Sequence, residues 1–267
     1  MVIDGILYHV DTIGEGFPLL LLHGFTGDST TWKPFFSQWS QTHKIILVDI
    51  IGHGKSASPT DVQRYDIVSV ANDMKQILEQ LEIEKADVLG YSMGGRLALS
   101  FALLFPECVN KLLLESSSPG LETDEERESR KIQDEKLGNL IEANGIERFV
   151  DYWENIPLFS TQKNLPLHKQ LEIRQQRLQN SVTGLKNSLA GMGTGSQPSW
   201  WDKLQELEAE TLLLTGELDQ KFCLIAEKMV KRMKRAEWKN IKSCGHAIHV
   251  EQPEKFGTMV SEFLSNL

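Results

Sequence analysis

Cysteine is scarce in this sequence of 267 residues, and its three cysteines, Cys108, Cys223 and Cys244, show no paired spacing. Small secreted domains that depend on disulfides carry a dense and even-numbered set of cysteines. The odd count therefore argues against a disulfide framework, and it predicts a protein of a reducing compartment, the cytoplasm.

Long hydrophobic runs are also lacking. The longest aliphatic stretches, such as PLLLLHGF, last only a few residues, whereas a membrane-spanning helix needs about 20. The amino-terminal segment MVIDGILYHV contains an aspartate and neither lysine nor arginine, so it does not have the pattern of a signal peptide. We expect a soluble protein that makes no contact with a membrane.

Positive charge is in deficit, since 28 Lys and Arg residues against 37 Asp and Glu residues leave a formal net charge of −9. Binding to nucleic acids or anionic membranes generally requires a positive field, so we expect neither as a partner. Hydrophobic residues make up 40% of the chain and charged residues 24%, as in an ordinary globular protein. The length suits one large α/β domain with an insertion, or two small domains.

Short apolar runs alternate with amphipathic stretches along the chain. Most of the runs are continuous rather than alternating, which is typical of strands buried on both faces of a parallel sheet. The predicted strands, besides an edge hairpin strand in GILYHVDTIG, are 18–23, 44–50, 85–91, 109–117, 210–216 and 236–241. The predicted helices of the same region are TTWKPFFSQWSQ, IVSVANDMKQILEQL, MGGRLALSFALLF, CLIAEKMVKRMK and PEKFGTMVSEFLSNL. This order predicts an α/β protein with a doubly wound, mostly parallel sheet.

One interval, from residue 119 to 200, contains no convincing strand. Three stretches within it show helical spacing: DEERESRKIQDEKLGNLIEANG, IERFVDYWEN and LPLHKQLEIRQQRLQNSV. The interval is too long for a plain crossover between strands. We interpret 119–200 as a helical cap over the strand ends, with 1–118 and 201–267 forming the core. A separately folded interaction domain is the alternative, but the strand pattern resumes directly afterwards.

The segment GYSMG places Ser92 between an apolar strand and a helix. This context favours a nucleophile elbow, in which a strained turn projects the serine hydroxyl above the sheet edge. The amide of Met93 then lies at a helix amino terminus, where it suits an oxyanion. The alternative is a serine that only caps the helix.

An activated serine needs a base, and the base needs an orienting acid. In this topology the acid and then the histidine follow the serine after later strands, and Asp219 and His246 fit that order. Glu217 and His249 are the alternatives for these two roles. Cys244, His246 and His249 also form a crowded ligand set, but no established zinc spacing is completed elsewhere, so we expect no metal.

The segment LLHGFTG supplies the second part of an oxyanion site. His23 and Gly24 turn the chain so that the amide of Phe25 faces the serine. We expect His23 itself to be structural. The Gly-rich turn DIIGHGKS does not have the spacing of a phosphate-binding loop.

Together these motifs resemble the α/β-hydrolase superfamily. The resemblance rests on HGF, DIIGHGKS, GYSMGG, the late aspartate and GHAIHVEQP, and it extends over essentially the whole chain. It implies the fold strongly. It implies the reaction only weakly, because esterases, C–C hydrolases, dehalogenases, peroxidases and lyases share this fold.

The placement of Arg96, four residues after Ser92, needs explanation, because the positive end of a helix is a poor place for a cation. An arginine that extends to the surface is the alternative. The interval 119–200 contains ten Lys and Arg against twelve Asp and Glu, a net charge of −2. An anion site there must therefore rest on individual arginines, and solvated charge pairs remain the default for most of them.

Four segments are similar to those of the 2-succinyl-6-hydroxy-2,4-cyclohexadiene-1-carboxylate synthases, lyases of the menaquinone pathway on this fold. They are GYSMGGR, SPGLETDEERESRK, FVDYWENIPLF and RLQNSVTGLKNSLAGMGTG. The resemblance implies substrate-binding roles for Tyr91, Arg96, Arg130, Tyr152, Trp153 and Arg177. Arg127 and Arg174 are the neighbours that could replace Arg130 and Arg177.

The resemblance implies a carbon–oxygen lyase that eliminates pyruvate from 2-succinyl-5-enolpyruvyl-6-hydroxy-3-cyclohexene-1-carboxylate. Ser92, activated by His246 and Asp219, is then a base, and no cofactor is required. Guanidinium groups suit this polycarboxylate substrate, and we expect a monomer. The competing hypothesis is a serine hydrolase for an ester or C–C bond of a carboxylate-bearing molecule, since both reactions need the same activated oxygen.

Overall fold

A computed structural model describes residues 1–265. Within this range a seven-stranded sheet has the order β3-β5-β4-β6-β7-β8-β9, and β1 and β2 form a separate small hairpin. Strand β3 is antiparallel to β5, and the other neighbours are parallel. The strands are β1 (Val2–Ile3), β2 (Ile6–Leu7), β3 (Val10–Ile13), β4 (Phe17–Leu22), β5 (His43–Val48), β6 (Ala86–Tyr91), β7 (Val109–Glu115), β8 (Glu210–Gly216) and β9 (Ala236–Ile241).

Helices cover both faces of this sheet. The α-helices are α1 (Phe36–Trp39), α2 (Ile67–Gln80), α3 (Met93–Leu104), α4 (Asp124–Trp153), α5 (Leu167–Leu178), α6 (Val182–Met192), α7 (Gln220–Val230), α8 (Ile248–Glu251) and α9 (Pro253–Ser265). Short 3-10 helices occupy Ser29–Phe35, Val62–Tyr65, Pro106–Cys108, Pro157–Asn164 and Trp201–Glu206. None of the helices formed by residues 1–265 combines the length and apolar character needed to cross a membrane.

Burial on both faces explains the continuous apolar runs of the central strands. In β4, Leu20 and Leu22 join the cluster on one face, whereas Leu19 and Leu21 join the cluster on the other. All four side chains are fully buried, and burying each leucine contributes roughly 1.5–3 kcal/mol. The predicted α/β class with a mostly parallel, doubly wound sheet is confirmed.

Two local predictions are wrong in detail. The edge hairpin strand predicted in GILYHVDTIG is divided between β2 and β3, and a turn at Asp4 and Gly5, both with positive φ, precedes it. The helix predicted over TTWKPFFSQWSQ is instead a 3-10 helix followed by the four-residue α1. Pro34 lies inside that segment and has no amide hydrogen to donate, which favours the short 3-10 form.

The chain between β7 and β8 forms helices and no strand within the described residues. Helix α4 begins with a capping box of Thr123 and Glu126 and bends at Gly145, where φ is 76°. The two helices predicted for this stretch therefore meet at Gly145, where the backbone is not helical. Helices α4 and α6 pack against each other through a small apolar cluster of their own.

This helical segment is anchored to the DIIGHGKS turn. A Cβ atom added to Gly184 of α6 would lie 2.0 Å from the carbonyl oxygen of Gly52. Such a close approach of two backbones is open only to glycine. The contact joins α6 to the turn that follows β5, at the carboxyl end of that strand.

Candidate active site

Ser92 lies in a strained turn between β6 and α3, with φ of 51° and ψ of −107°. A Cβ atom at Gly90 would lie 2.3 Å from the carbonyl oxygen of Gly94, and one at Gly94 would lie 2.3 Å from that of Leu22. Both glycines are therefore required for the backbone to turn this sharply. Backbone strain of this kind is concentrated at functional sites.

Ser92, His246 and Asp219 form a continuous hydrogen-bonded chain. The Nε2 atom of His246 lies 3.0 Å from Ser92 Oγ, and its Nδ1 atom lies 2.6 Å from Asp219 Oδ2. His246 and Asp219 are buried, and Ser92 is partly exposed. A carboxylate on Nδ1 leaves Nε2 free to accept the serine proton, so the arrangement makes Ser92 Oγ basic.

The two alternative residues lie in other networks. The Glu217 carboxylate accepts a hydrogen bond from the amide of Ser243 at 3.1 Å. His249 contacts the buried carboxylate of Glu115 through Nδ1 at 2.9 Å, and its own amide donates to the same carboxylate. Neither is hydrogen-bonded to Ser92 within the described part of the chain.

The amides of Phe25 and Met93 are available for an oxyanion. Both residues line the cavity that contains Ser92 and His246. Within residues 1–265, neither amide donates a hydrogen bond to a protein acceptor. Met93 is the first residue of α3, where the helix dipole adds to the attraction for negative charge.

His23 stabilises the loop that contains Phe25 through hydrogen bonds of its ring. Its Nε2 atom accepts a hydrogen bond from the amide of Ile50 at 2.9 Å, so Nδ1 carries the proton and donates to the carbonyl oxygen of Gly24 at 2.8 Å. Burial lowers the pKa of His23 from its ordinary value and keeps the ring neutral. This geometry gives His23 the structural role that we expected.

The cavity above Ser92 has a volume of about 530 Å³. Arg96 of α3 and Arg130 of α4 both line it. The Nη1 atom of Arg96 donates to the carbonyl oxygen of Met192 at 2.6 Å and to the side chain of Gln197 at 2.5 Å. Burial lowers the pKa of Arg96 to about 10, and Arg130 contributes to this shift.

Asp134 forms an ion pair with Arg130 and also attracts Arg96 electrostatically. Its Oδ1 atom accepts from Arg130 Nε at 2.8 Å, while its buried Oδ2 atom has no hydrogen-bond partner within residues 1–265. Burial raises the pKa of Asp134, and Arg130 and Arg96 oppose that shift. The described residues that line the cavity include four cations, Arg96, Arg130, Lys221 and Lys228, against two carboxylates, Glu122 and Glu126, and this positive excess suits an anionic ligand.

Arg177 lies in a second, adjoining cavity of about 790 Å³. Its guanidinium is 6% exposed, stacks 4.7 Å from the ring centroid of Phe159 and donates to Gln162 at 3.1 Å. No acidic side chain in the described residues forms an ion pair with it. The rings of Phe25, Tyr91 and Phe159 line both cavities, so the cavity of Arg177 adjoins that of Ser92 at these rings.

Like Arg130, the neighbouring arginines are partly exposed, and both are ion-paired. Arg127 pairs with Asp124 at 3.1 Å, and Arg174 pairs with Asp151 and Glu154 at 2.6 and 2.7 Å. Neither lines the two cavities. The geometry therefore favours Arg130 and Arg177 over these alternatives.

The adjacent aromatic residues Tyr152 and Trp153 face different directions on α4. Trp153 lines the first cavity, stacks on Phe149 and contacts Phe25 edge to face, whereas Tyr152 is 51% exposed and lies outside both cavities. The structure thus does not bring Tyr152 to the site. Adjacent residues on an α-helix point about 100° apart, so only one of the two faces the cavity.

Sequence reasoning missed several residues that line the first cavity. They are Ser116 and Ser118 after β7, Phe159, and Lys221, Phe222 and Lys228 of α7. The signal for the α7 residues was their position directly after Asp219, at the same edge of the sheet. Ser116 carried no recognisable motif.

The comparisons with known proteins agree with this geometry. A family model described as the alpha/beta hydrolase fold matches residues 18–253. A Bacillus subtilis protein, provisionally named 2-succinyl-6-hydroxy-2,4-cyclohexadiene-1-carboxylate synthase, is 44% identical over 99% of this chain and 97% of its own. A Photorhabdus laumondii protein with that synthase name is 30% identical over 92% of this chain and 85% of its own. The structure of MenH from S. aureus superposes with a TM-score of 0.92 at 35% identity, covering 96% of this chain and 97% of its own.

Proposed function

The chain belongs to the α/β-hydrolase fold family, and we propose that within it the protein is a carbon–oxygen lyase of menaquinone biosynthesis. It eliminates pyruvate from 2-succinyl-5-enolpyruvyl-6-hydroxy-3-cyclohexene-1-carboxylate and leaves 2-succinyl-6-hydroxy-2,4-cyclohexadiene-1-carboxylate. The observation that carries this function is the near full-length similarity to synthases that bear the product's name. The serine hydrolase hypothesis is not favoured by these relatives.

The reaction is a 2,5-elimination that needs one strong base. Ser92 Oγ, whose proton passes to His246, removes the ring proton at C2 beside the succinyl ketone. The electrons move through the ring double bond and break the C5–O bond to the enolpyruvyl group. The proton gained by the enzyme is balanced by one delivered to the departing enolpyruvate, which becomes pyruvate.

Charge develops on the succinyl ketone oxygen as the C2 proton leaves. In our proposal the amides of Phe25 and Met93 donate to that oxygen, as in an oxyanion hole. Ser92 forms no covalent bond with the substrate, so it acts as a base and not as a nucleophile. This is how a hydrolase-type triad serves an elimination.

We propose that the substrate carboxylates bind to Arg96, Arg130 and Arg177. The net-positive group of Arg96, Arg130 and Asp134 supports this assignment, as does the guanidinium of Arg177, which lacks an acidic partner in the described chain. We also propose that the protein is a monomer of the cytoplasm. A mass near 30.2 kDa by light scattering would support the first of these two statements.

The function is tested by adding the purified protein to the enolpyruvyl substrate. Pyruvate release is followed through lactate dehydrogenase and NADH, and the cyclohexadiene product is identified by mass spectrometry. We expect stoichiometric release of both products. Persistence of the substrate, with no pyruvate above the level without enzyme, would exclude the lyase.

A further inference from the structure

Ser116 lies next to the catalytic serine, although it belongs to another strand. It follows the last residue of β7, Glu115, whose carbonyl oxygen accepts a hydrogen bond from the amide of Ser92 at 2.8 Å. The amide of Ser116 donates in turn to Leu214 of β8 at 2.9 Å. Ser116 is therefore placed at the sheet edge between the turn of Ser92 and the strand that leads to Asp219.

The backbone of Ser116 adopts a conformation that serine rarely takes. Its φ is 46°, in the left-handed region. Glycine would occupy this position without strain, so a serine there is disfavoured by the backbone. A side chain that persists in a strained backbone at an active site suggests that the side chain has a function.

The hydroxyl of Ser116 is buried and unpaired. The residue is 0% exposed, and Ser116 Oγ has no hydrogen-bond partner within residues 1–265. Buried hydroxyls are nearly always hydrogen-bonded, because the loss of hydration is otherwise uncompensated. Ser116 also lines the cavity of Ser92, so a ligand in that cavity is the available partner.

Ser117 provides an internal comparison. Its hydroxyl is equally buried and unpaired among the described residues, but Ser117 does not line the cavity. It packs against α3, since a Cβ atom at Gly95 would lie 2.7 Å from that of Ser117. The two adjacent serines therefore share their chemistry and the burial of their hydroxyls, and they differ in that only Ser116 lines the cavity.

We infer that Ser116 Oγ donates a hydrogen bond to the ether oxygen of the enolpyruvyl group as that group departs. This inference rests on the proposed lyase function. The ketone oxygen is assigned to two backbone amides and the carboxylates to arginines. The ether oxygen remains as the acceptor that gains negative charge when the C5–O bond breaks. A donor at this position stabilises the enolate of pyruvate, and Ser116 keeps its own proton throughout.

The test compares Ser116→Ala, Ser116→Gly and Ser117→Ala with the unchanged enzyme, using pyruvate release as the assay. We expect both Ser116 variants to lower kcat roughly tenfold to hundredfold, in the range of a lost oxyanion donor, with KM changed by less than about threefold. Ser117→Ala should retain kcat within about twofold. Inhibition by added pyruvate should weaken in both Ser116 variants.

Ser116→Gly separates a role of the hydroxyl from a role of the backbone. Glycine accepts the φ of 46° without strain, so a purely structural serine would be replaced with full activity and equal or higher melting temperature. Full kcat in either Ser116 variant, or an equal loss in Ser117→Ala, would overturn the inference. An unchanged enzyme that releases no pyruvate would instead reject the lyase function.

Discussion

The sheet edge and the helical segment between β7 and β8 differ in how far their functional side chains are paired before the substrate binds. At the edge, Ser92, His246 and Asp219 already form a complete hydrogen-bonded chain. In the insertion, Arg177 is buried without an acidic partner among the described residues, and Arg130 shares its single carboxylate with Arg96. The triad is hydrogen-bonded before a ligand arrives, whereas Arg177 of the insertion has no carboxylate partner among the described residues.

This difference corresponds to two separate tasks, since in our proposal the sheet edge performs the chemical step and the insertion binds the substrate. A triad must be aligned before the reaction, because reorganisation during proton transfer would raise the barrier. A binding site for a polyanion has the opposite need, since a guanidinium already neutralised by a protein carboxylate would gain little from the ligand. Parallel strands supply the rigid edge, and the insertion supplies the unneutralised cations.

The largest expected effect comes from removing the base at the edge. Ser92→Ala should lower kcat by about 10⁴-fold or more, because the remaining binding groups alone cannot remove the ring proton. Single-turnover release of pyruvate measures this loss. The control is Ser37→Ala, which changes an exposed serine far from the site. A rate within tenfold of the unchanged enzyme would remove Ser92 from the mechanism.

The comparison predicts a smaller effect for an arginine of the insertion. Arg130→Ala should lower kcat/KM by about 100-fold, the value of a lost charge-assisted contact to a carboxylate. Arg127→Ala is the matched control, since it alters the same helix outside the cavity. Steady-state kinetics of pyruvate release compares the two. Equal losses would mean that α4 contributes through its fold and not through a bound carboxylate.

Arg177 tests whether the second cavity takes part in binding. Arg177→Ala should raise KM by roughly 30-fold with a smaller change in kcat, because the guanidinium lies behind Phe159 and away from the reacting atoms. Arg174→Ala, on the exposed side of α5, should leave both constants close to their original values. An unchanged KM in Arg177→Ala would exclude this cavity from substrate binding.

The smallest expected effect concerns stability at the edge. Burial alone would raise the pKa of Asp49, but the hydrogen bonds donated by the amides of Lys55 and Ser29 hold it below its ordinary value of 3.8. The stabilisation by this carboxylate is therefore complete above that value and is lost as the pH falls through the lower folded-state pKa. Asp49→Asn should cost about 1.5 kcal/mol at pH 7, the value of a charged hydrogen bond.

Urea unfolding at a series of pH values checks this sign. The difference between Asp49→Asn and the unchanged protein should shrink as the pH falls below 3.8. Asp61→Asn is a suitable control, since Asp61 caps a 3-10 helix at the surface. A difference that stays constant with pH would contradict the role of the charge.

The success of sequence reasoning differed between the same two regions. Ser92 and His246 could be located because the elbow and the late loop have short-range signatures that follow from backbone geometry. The choice of Asp219 over Glu217 needed the positions of two loops. In the insertion, Trp153 and Tyr152 are adjacent in the motif, and only the rotation of α4 decides which one faces the cavity.

Ser116 could not have been found from the sequence. Its positive φ and the absence of a hydroxyl partner within the described residues arise from the neighbouring strands β6 and β8. No local sequence pattern predicts either property, because serine is common after strands and a single serine forms no periodic pattern.

The order of strands and helices, the elbow at Ser92 and the late loops that carry Asp219 and His246 were determined by the sequence itself. Each depends on contacts between residues close in the chain, or on the burial of a continuous apolar strand. Tertiary structure alone decided how far each arginine is buried, which arginines interact with the same carboxylate, and which cavity each one lines. Those properties depend on the packing of α4, α5 and α6 over a sheet edge built from distant segments, and packing at that range leaves no mark in a local pattern.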